Sequence, residues 1–422
     1  MTYAIILFVA TYILMMVFSK HRPYIALASA LIFIISGMLP LDEIIPSIDF
    51  NVILMIAGTM GLVAFFSQSK MPELLADLIL EKAPNVQWAM VALALFAGII
   101  SAFVDNVSTV LMIAPVALGI SKKLKVNPVP MIISIAVSSN LQGAATLVGD
   151  TTAIMLGSYA KMSFLDFFFY KGRPSIFFAV EIGAVLSAII LYYMFRKEKT
   201  PIPKVERTVV KDMVPTYLLC SAVICLIIAS FIPNTPGITN GFICCVFMVI
   251  GFIYTAIRYK NITMITDALK EIDFETISLL VGLFLLIGGI TNMGVIDEIA
   301  AILATTKGSL FVIYTVIVWA SVLFSAFIDN IPYVATMLPV IQGLALKLGV
   351  DPTVLYFGLL TGATLGGNLT PIGASANITG IGILRKEGHD VKNSDFMKIG
   401  IPFTLAAVIP GYLYCWLLYG NI

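Results

Sequence analysis

The chain contains 422 residues, of which 59% are hydrophobic and only 12% are charged, and its mean hydropathy is +1.01. A single soluble core cannot bury so much apolar side-chain surface, so the composition excludes an ordinary soluble domain and predicts a protein of the lipid bilayer. The formal net charge of +1 says nothing about partners, because only the sidedness of the charges matters in a membrane protein. No nucleic-acid partner is expected.

Apolar segments of about the length that crosses a bilayer, roughly 20 residues, recur along the whole chain. Ten of them predict full crossings, at about 3–19, 24–40, 51–67, 128–156, 174–195, 216–232, 238–257, 275–292, 352–380 and 398–419. Two further segments, 87–121 and 309–346, are apolar on both sides of an Asp-Asn pair. This pattern favours a re-entrant helical hairpin, with two ordinary crossings as the alternative. The predicted fold class is an all-α polytopic membrane protein with about ten transmembrane helices and two re-entrant hairpins.

The second half of the sequence repeats the first at an offset of 224 positions. The strongest match places Ser101-Ala102-Phe103-Val104-Asp105-Asn106 on Ser325-Ala326-Phe327-Ile328-Asp329-Asn330. Because each half holds an odd number of predicted crossings, the two repeats are expected to have inverted orientations. We therefore expect a first repeat over 1–195, a cytoplasmic linker over 196–215 and a second repeat over 216–422. Within the repeats, the hairpins 87–121 and 309–346 precede the broken helices 128–156 and 352–380.

The distribution of Lys and Arg predicts that both termini lie outside. With that orientation, the outer face carries only five of the 25 basic residues: Lys161, Lys171, Arg173, Lys307 and Lys347. The other basic residues, including Arg22, are expected on the inner face, and none is expected near the hairpin tips. We interpret the chain as an integral membrane protein of a prokaryotic plasma membrane.

The Asp-Asn pairs at the hairpin tips form the first candidate site. A carboxylate at the bilayer centre costs roughly 2.5–3.5 kcal/mol on insertion scales, so Asp105 and Asp329 point to a function. A hairpin tip presents the free carbonyl groups of one helix, which suit a cation, and the free N–H groups of the next, which suit an anion. The alternative is that Asp-Asn only caps the second helix of each hairpin. The predicted binding residues at the tips are Asp105, Asn106, Ser108, Thr109, Asp329 and Asn330.

The helix after each hairpin holds the second candidate site. Glycine followed by small hydroxyl residues breaks a membrane helix and supplies oxygen ligands, whereas packing of small residues between helices is the alternative. The predicted binding residues here are Thr146, Gly149, Asp150, Thr151, Thr152, Asn368, Thr370, Pro371, Gly373, Ser375 and Asn377. Asp150 corresponds to Ala374 in the second half, so the two sites are expected to be unequal. Na⁺ is predicted at Asp105 with Asp150 and at Asp329 with Ser375.

No cofactor and no enzymatic activity are expected. The chain has five Cys residues without a Cys-x-x-Cys pair and only two His residues, which supply neither a structural zinc site nor a nucleophile–base set. No Walker phosphate-binding loop occurs, so we expect no ATP hydrolysis by this chain, and a separate ATPase partner stays open as an alternative.

Three phrases, 101–111, 145–155 and 366–377, resemble the ion transporter superfamily, and the likeness covers essentially the whole chain. That superfamily includes arsenite-efflux permeases, citrate and dicarboxylate carriers, a class of Na⁺/H⁺ antiporters and the P-protein, and the nearest branch is that of the arsenite permeases and the P-protein. The resemblance implies a homodimer in which a transport domain, holding the hairpins and broken helices, moves against a scaffold domain as an elevator. Dicarboxylate carriers of the superfamily have a neutral Ser-Asn-Thr at the tips, where this chain has Asp-Asn.

Residues and resemblance together favour an ion-coupled secondary active transporter that moves an anion or an arsenite-like oxyanion, with Na⁺ or H⁺ as the coupling ion. Its partners are then the lipid bilayer and a small ionic substrate. One alternative is a Na⁺/H⁺ antiporter without organic or oxyanion cargo, and a second is a citrate or dicarboxylate carrier.

Overall fold

The computed structural model describes residues 1–202, 206–259, 262–305 and 309–421. The helices of the first half are α1 (Thr2–Val17), α2 (Arg22–Ile35), α3 (Ile44–Ser47), α4 (Phe50–Gln68), α5 (Met71–Lys82), α6 (Val86–Ser101), α7 (Asn106–Leu124), α8 (Val129–Gly143), α9 (Thr151–Tyr159) and α10 (Ile176–Met194). Those of the second half are α11 (Val214–Ala229), α12 (Thr239–Tyr259), α13 (Ile262–Lys270), α14 (Phe274–Asn292), α15 (Val295–Thr305), α16 (Leu310–Ser325), α17 (Asn330–Leu348), α18 (Thr353–Gly366), α19 (Ser375–Lys386) and α20 (Asn393–Tyr419). The prediction of a mostly helical fold is confirmed. The predicted outer-face residue Lys307 lies outside the described residues.

Seven helical segments of the described chain are long and apolar enough to cross a membrane. They are α4, α7, α10, α12, the stretch Ile265–Asn292 that ends with α14, α17 and α20. Six shorter apolar helices of 14 to 16 residues, α1, α2, α6, α8, α11 and α16, add to them. The count of about ten crossings stays a prediction.

The helix bounds of the two halves differ by the same 224 positions that relate the two sequences. Helices α4 and α14 have 19 residues each, α6 and α16 have 16 each, and α7 and α17 have 19 each. The same chemistry starts the paired helices, because the Asp49 carboxylate accepts from the Val52 N–H before α4 and the Asp273 carboxylate accepts from the Thr276 N–H before α14. The opposite orientation of the halves in the membrane stays a prediction.

Two pairs of helices, each with one helix from either half, pack the two halves together. Helix α4 lies against α12 of the other half, and α14 lies against α2. A Cβ atom at Gly58 of α4 would lie 2.6 Å from the Cys244 backbone, and one at Gly282 of α14 would lie 2.8 Å from the Ala26 backbone. Glycine therefore allows the close helix contact in both pairs, which joins the halves into one frame.

Two features differ from the sequence prediction. The structure has a short antiparallel hairpin, β1 (Phe169–Tyr170) and β2 (Arg173–Pro174), whose turn has positive φ at Lys171 and Gly172. Helices α3, α5, α13 and α15, which lie outside the predicted crossings and hairpins, were not predicted. Helix α5 carries Glu73 and Asp77 within its 12 residues, so it is not an apolar run of spanning length.

Candidate functional site

Both Asp-Asn tips lie where one helix ends and the next begins. Helix α6 ends at Ser101 and α7 begins at Asn106, so Asp105 is the residue before the new helix. Its Oδ1 accepts from the Ser108 N–H at 2.9 Å, and Oδ1 of Asp329 accepts from the Ile331 N–H at 3.2 Å. One carboxylate oxygen at each tip is therefore used for capping, and the other oxygen is left for a different contact.

The second oxygens of the two aspartates have different surroundings. Oδ2 of Asp105 is buried and has no hydrogen-bond partner among the described residues. Oδ2 of Asp329 accepts from the Arg22 guanidinium at 2.9 Å and from the Ser375 hydroxyl at 3.3 Å. A buried carboxylate oxygen without a donor is costly, so Asp105 is the tip residue that is free to take a cation or a proton.

Arg22 begins α2 and was expected on the inner face, away from the tips. Its Nη1 instead forms the ion pair with Asp329, while its Nε donates to the Met15 carbonyl at 3.3 Å. The expectation that no Lys or Arg lies near the tips is therefore wrong. The tip at Asp329, between α16 and α17, lies next to the start of α2. This contact depends on how distant helices pack.

The breaks after α8 and α18 are tied to the tips by the same two contacts in each half. The hydroxyl of Thr146 donates to the Ala102 carbonyl, and that of Thr370 donates to the Ala326 carbonyl. A Cβ atom at Gly149 would lie 2.6 Å from the Ser101 carbonyl oxygen, and one at Gly373 would lie 2.6 Å from that of Ser325. These threonines and glycines hold the backbone of each break close to the backbone at the end of α6 or α16. Close packing of the backbone therefore explains why these residue types occur here.

A cavity of about 640 Å³ brings several predicted residues together. The predicted residues that line it are Asp105, Asn106, Ser108, Asp150, Thr151, Asn330 and Ser375. The predicted residues that do not line it are Thr109, Thr146, Gly149, Thr152, Asp329, Asn368, Thr370, Pro371, Gly373 and Asn377. Both tips and both breaks thus reach one cavity, and the first half contributes both of its aspartates.

One wall of this cavity is the segment before and at the start of α14. It contributes Lys270, Glu271, Asp273 and Glu275. Glu271 and Asp273 lie close enough to Asp105 for an electrostatic interaction, and Lys270 pairs with Asp267 at 3.0 Å. This wall was not predicted from the sequence, although Asp273 belongs to the phrase Ile-Asp-Phe, which occurs in both halves and contains Asp49 in the first. The cavity therefore carries an excess of negative charge.

A buried amide network lies behind the cavity and joins the two halves. The Asn106 amide donates to Oδ1 of Asn140 at 3.1 Å, and the Asn140 amide donates to Oδ1 of Asn368 at 3.1 Å and to the Thr364 carbonyl at 2.8 Å. Asn140 and Thr364 were missed, since single polar residues inside apolar helices give no motif. This network fixes the two broken helices against each other.

A short hydroxyl chain connects Asp150 to the second half. The Thr152 hydroxyl donates to Oδ2 of Asp150 at 2.8 Å and lies 2.9 Å from the Thr364 hydroxyl. Asn377 has a structural place instead, because its amide donates to the Gly367 carbonyl at 3.1 Å and closes the second break.

A second cavity of about 1100 Å³ is larger but is lined by none of the predicted residues. Its aspartate, Asp49, is already used, because Oδ1 accepts from the Val52 N–H at 3.1 Å and Oδ2 accepts from the Ser158 hydroxyl at 2.6 Å. We therefore take the smaller cavity as the candidate site.

A helical membrane protein in which two helix-pair tips and two broken helices converge on a polar cavity has the construction of a membrane transporter. The chain belongs to the citrate transporter family, whose sequence profile matches residues 10–362. The predicted membership in the ion transporter superfamily is thereby confirmed, and the family indicates transport rather than catalysis.

Relatives cover nearly the whole chain. An uncharacterized transporter of Mycobacterium tuberculosis is 30% identical over 428 residues, which cover 99% of this chain and 98% of the relative. The P protein of Sus scrofa is 25% identical over 513 residues, which cover 100% of this chain and 59% of that protein. The crystal structure of the YdaH transporter of Alcanivorax borkumensis, described as having an unusual topology, matches with a TM-score of 0.59 over 89% of this chain and 87% of that one. At 11% identity, this last similarity concerns the fold alone.

Proposed function

We propose that this protein is a cation-coupled secondary transporter of a small anion, with Na⁺ or H⁺ held between Asp105 and Asp150. One observation carries the proposal: the buried Oδ2 of Asp105 has no donor among the described residues, and it belongs to the same cavity as Asp150. A proton or a metal cation is the missing partner that would remove the cost of this oxygen.

The groups around the two aspartates suit a hard cation. Carboxylate, hydroxyl, amide and backbone oxygens are the ligands that such cations take in proteins, and Asn106, Ser108 and Thr151 line the cavity beside Asp105 and Asp150. No group of three or more His, Cys, Asp or Glu side chains within the described ranges is placed to hold a metal ion. The bound cation would therefore take several of its oxygens from hydroxyl groups and the backbone, as Na⁺ does.

The start of α19 supports an anion in the same cavity. The residue before this helix is Ala374, which has no side chain to accept from the first N–H groups. Ser375, the first residue of the helix, lines the cavity. The N-terminus of a helix favours negative charge, so an anion would lie there beside the cation at Asp150. The name of the family makes citrate the first cargo to test, and arsenite and dicarboxylates follow from the sequence resemblance.

The rival function is Na⁺/H⁺ exchange without an anion. The acidic wall of Glu271, Asp273 and Glu275 favours it, since these carboxylates repel an anion that enters past them and attract a cation. Lys270 does not balance them, because its ammonium group is paired with Asp267.

Transport by the purified protein in proteoliposomes tests the proposal. Uptake of radioactive citrate, arsenite or succinate is measured with a Na⁺ gradient, with a proton gradient and with neither, and an internal dye reports pH. We expect uptake of one of these anions that requires a gradient and needs no ATP. Na⁺-driven proton flux without any anion would overturn the anion cargo in favour of exchange, and gradient-driven uptake that persists in Asp105→Asn would overturn the site.

The assembly and the movement belong to the same proposal. The resemblance supports a homodimer and an elevator, and the described helices offer a division into a frame of α2, α4, α12 and α14 and a body that holds both tips and both breaks. Light scattering of the purified protein gives the number of subunits. Cysteine cross-links between frame and body that block transport would test the movement.

A further inference from the structure

The two tip aspartates meet different charges, although the sequence around them is repeated. Asp329 faces the guanidinium of Arg22, and its side chain and that of Arg22 are only 9% and 17% exposed. Asp150 also lies close enough to Asp329 for an electrostatic interaction. Asp105 faces Glu271 and Asp273, and no Lys or Arg of the described chain pairs with it. The position that corresponds to Arg22 in the second half is Val246, which has no charge. Arg22 therefore gives Asp329 a positive neighbour that Asp105 lacks, and Glu271, which corresponds to the uncharged Ser47 of the first half, adds a negative neighbour at Asp105.

Arg22 is held in place by its surroundings. Its Nε donates to the Met15 carbonyl, so the guanidinium is tied to the end of α1 as well as to Asp329. The Tyr12 hydroxyl of α1 donates to the Pro332 carbonyl at 2.8 Å and also contacts the Thr336 hydroxyl. Helices α1 and α2 thus contact the start of α17 at two points: the Tyr12 hydroxyl bonds to the first turns of α17, and Arg22 pairs with Asp329.

We propose that Arg22 takes the place of a coupling cation at Asp329, so that only the tip of the first half binds a cation. This inference rests on the proposed function, which puts the cation at Asp105 and Asp150. A guanidinium stays protonated at any pH a protein meets and donates in fixed directions. With Oδ1 of Asp329 capping α17 and Oδ2 bound to Arg22 and Ser375, a Na⁺ ion would have to displace the guanidinium to reach this carboxylate.

Counting bound cations on the full-length protein in lipid nanodiscs tests this role. Radioactive Na⁺ bound at saturation gives one count, and acid–base titration without Na⁺ gives the number of protons taken up near neutral pH. We expect Arg22→Gln to bind about one more Na⁺ or H⁺ per chain than the wild type, because the freed Asp329 needs a counter-charge. Arg22→Lys keeps the wild-type count. Lys20→Gln, which removes an exposed charge nearby, also keeps it.

Two further variants decide between the outcomes. Arg22→Gln with Asp329→Asn is expected to return to the wild-type count, which assigns the extra cation to Asp329. Asp329→Asn alone is expected to leave the count unchanged, and this measurement does not depend on the folding of the Arg22 variants. The loss of one cation in Asp329→Asn would overturn the inference, as would equal counts in Arg22→Gln and the double variant.

The cation count also distinguishes failure of the proposed function from failure of this inference. If Asp105 binds no cation, Asp105→Asn leaves the wild-type count unchanged. The extra cation of Arg22→Gln can still be counted in the Asp105→Asn background, where Asp329 is the only tip carboxylate. The role of Arg22 is thus tested by comparing Arg22→Gln with the double variant, and the role of Asp105 by comparing Asp105→Asn with the wild type.

Discussion

Nη1 of Arg22 lies 2.9 Å from Oδ2 of Asp329, and this ion pair joins residues that are 307 positions apart in the chain. It connects the start of α2 to the tip before α17, so it links the first half of the sequence to the second. When one partner of a mostly buried pair is removed, the remaining charge keeps its desolvation cost, whereas removal of both partners avoids that cost. The stability of single and double variants of this pair therefore tests the tertiary contact separately from the proposed ion binding.

The first prediction concerns stability. We expect Arg22→Gln and Asp329→Asn each to lower the free energy of unfolding by about 2 kcal/mol, and the double variant to lose clearly less than the sum. Thermal unfolding of the purified protein measures all three. Lys398→Gln, which breaks an exposed pair with Asp395 at 3.1 Å, is the control and should cost less than about 1 kcal/mol. Additive losses at Arg22 and Asp329 would contradict the pairing.

The second prediction separates charge from capping at Asp105. Asparagine caps a helix about as well as aspartate, so Asp105→Asn is expected to abolish coupled uptake while leaving the melting temperature near that of the wild type. Asp105→Ala is expected to abolish uptake and to cost about 1 kcal/mol in addition, since the acceptor for the Ser108 N–H is lost. Asp42→Asn, at an exposed carboxylate, is the matched control and should transport normally. Normal uptake by Asp105→Asn would leave capping as the whole explanation of this residue.

The tips and breaks could be predicted from the sequence because each is a local pattern that occurs twice. Asp105, Asp150 and Ser375 stand in such patterns, and all three reach the same cavity. The repeated threonines and glycines were also found, but the structure gives Thr146 and Gly149 a role in backbone packing. A repeated motif therefore predicts where a site lies, but it does not show which of its residues line the cavity and which only pack the backbone.

The missed residues depend on contacts between distant helices. Hydropathy places Arg22 just before the predicted crossing 24–40 and does not predict which tip lies next to it. Asn140 and Thr364 are single polar residues in apolar helices, and only the pairing of α8 with the second half shows that they form a network. Asp273 caps α14, and the sequence gives no sign that the same segment also forms a wall of the cavity.

The third prediction tests the close backbone approach at the breaks. A Cβ atom at Gly149 would lie 2.5 Å from the Gly143 carbonyl oxygen, so Gly149→Ala is expected to lower the free energy of unfolding by about 2–3 kcal/mol. Gly119 of α7 has open space around its Cβ position, and Gly119→Ala should be neutral or stabilising by about 0.5–1 kcal/mol. The melting temperatures of the two variants make the comparison. Equal melting temperatures would contradict the prediction, because they would show that the break after α8 accommodates a Cβ atom at Gly149 without loss of stability.

The linker between the halves is attached to α12 through Asp212. Oδ2 of this residue accepts from the Tyr254 hydroxyl at 3.0 Å and from the Tyr259 hydroxyl at 2.7 Å, and Oδ1 accepts from the Val214 N–H at 2.9 Å. Burial by itself would raise the pKa of Asp212, but these hydrogen bonds and the charge of Arg258 outweigh it, so the pKa is lowered. The ionised carboxylate is therefore the form that holds the linker.

The fourth prediction follows from the direction of that shift. A carboxylate whose pKa is lowered by folding stabilises the folded state above its unfolded pKa, and the contribution is lost as the pH falls through the lower, folded value. We expect hydrogen exchange of residues 206–214, corrected for the intrinsic effect of pH, to stay constant from neutral pH to about pH 5 and to accelerate only below about pH 4. Asp212→Asn should exchange fast at every pH, and Asp267→Asn, whose partner Lys270 is exposed, serves as the control. Acceleration that already begins near neutral pH would mean that a group other than Asp212 holds the linker.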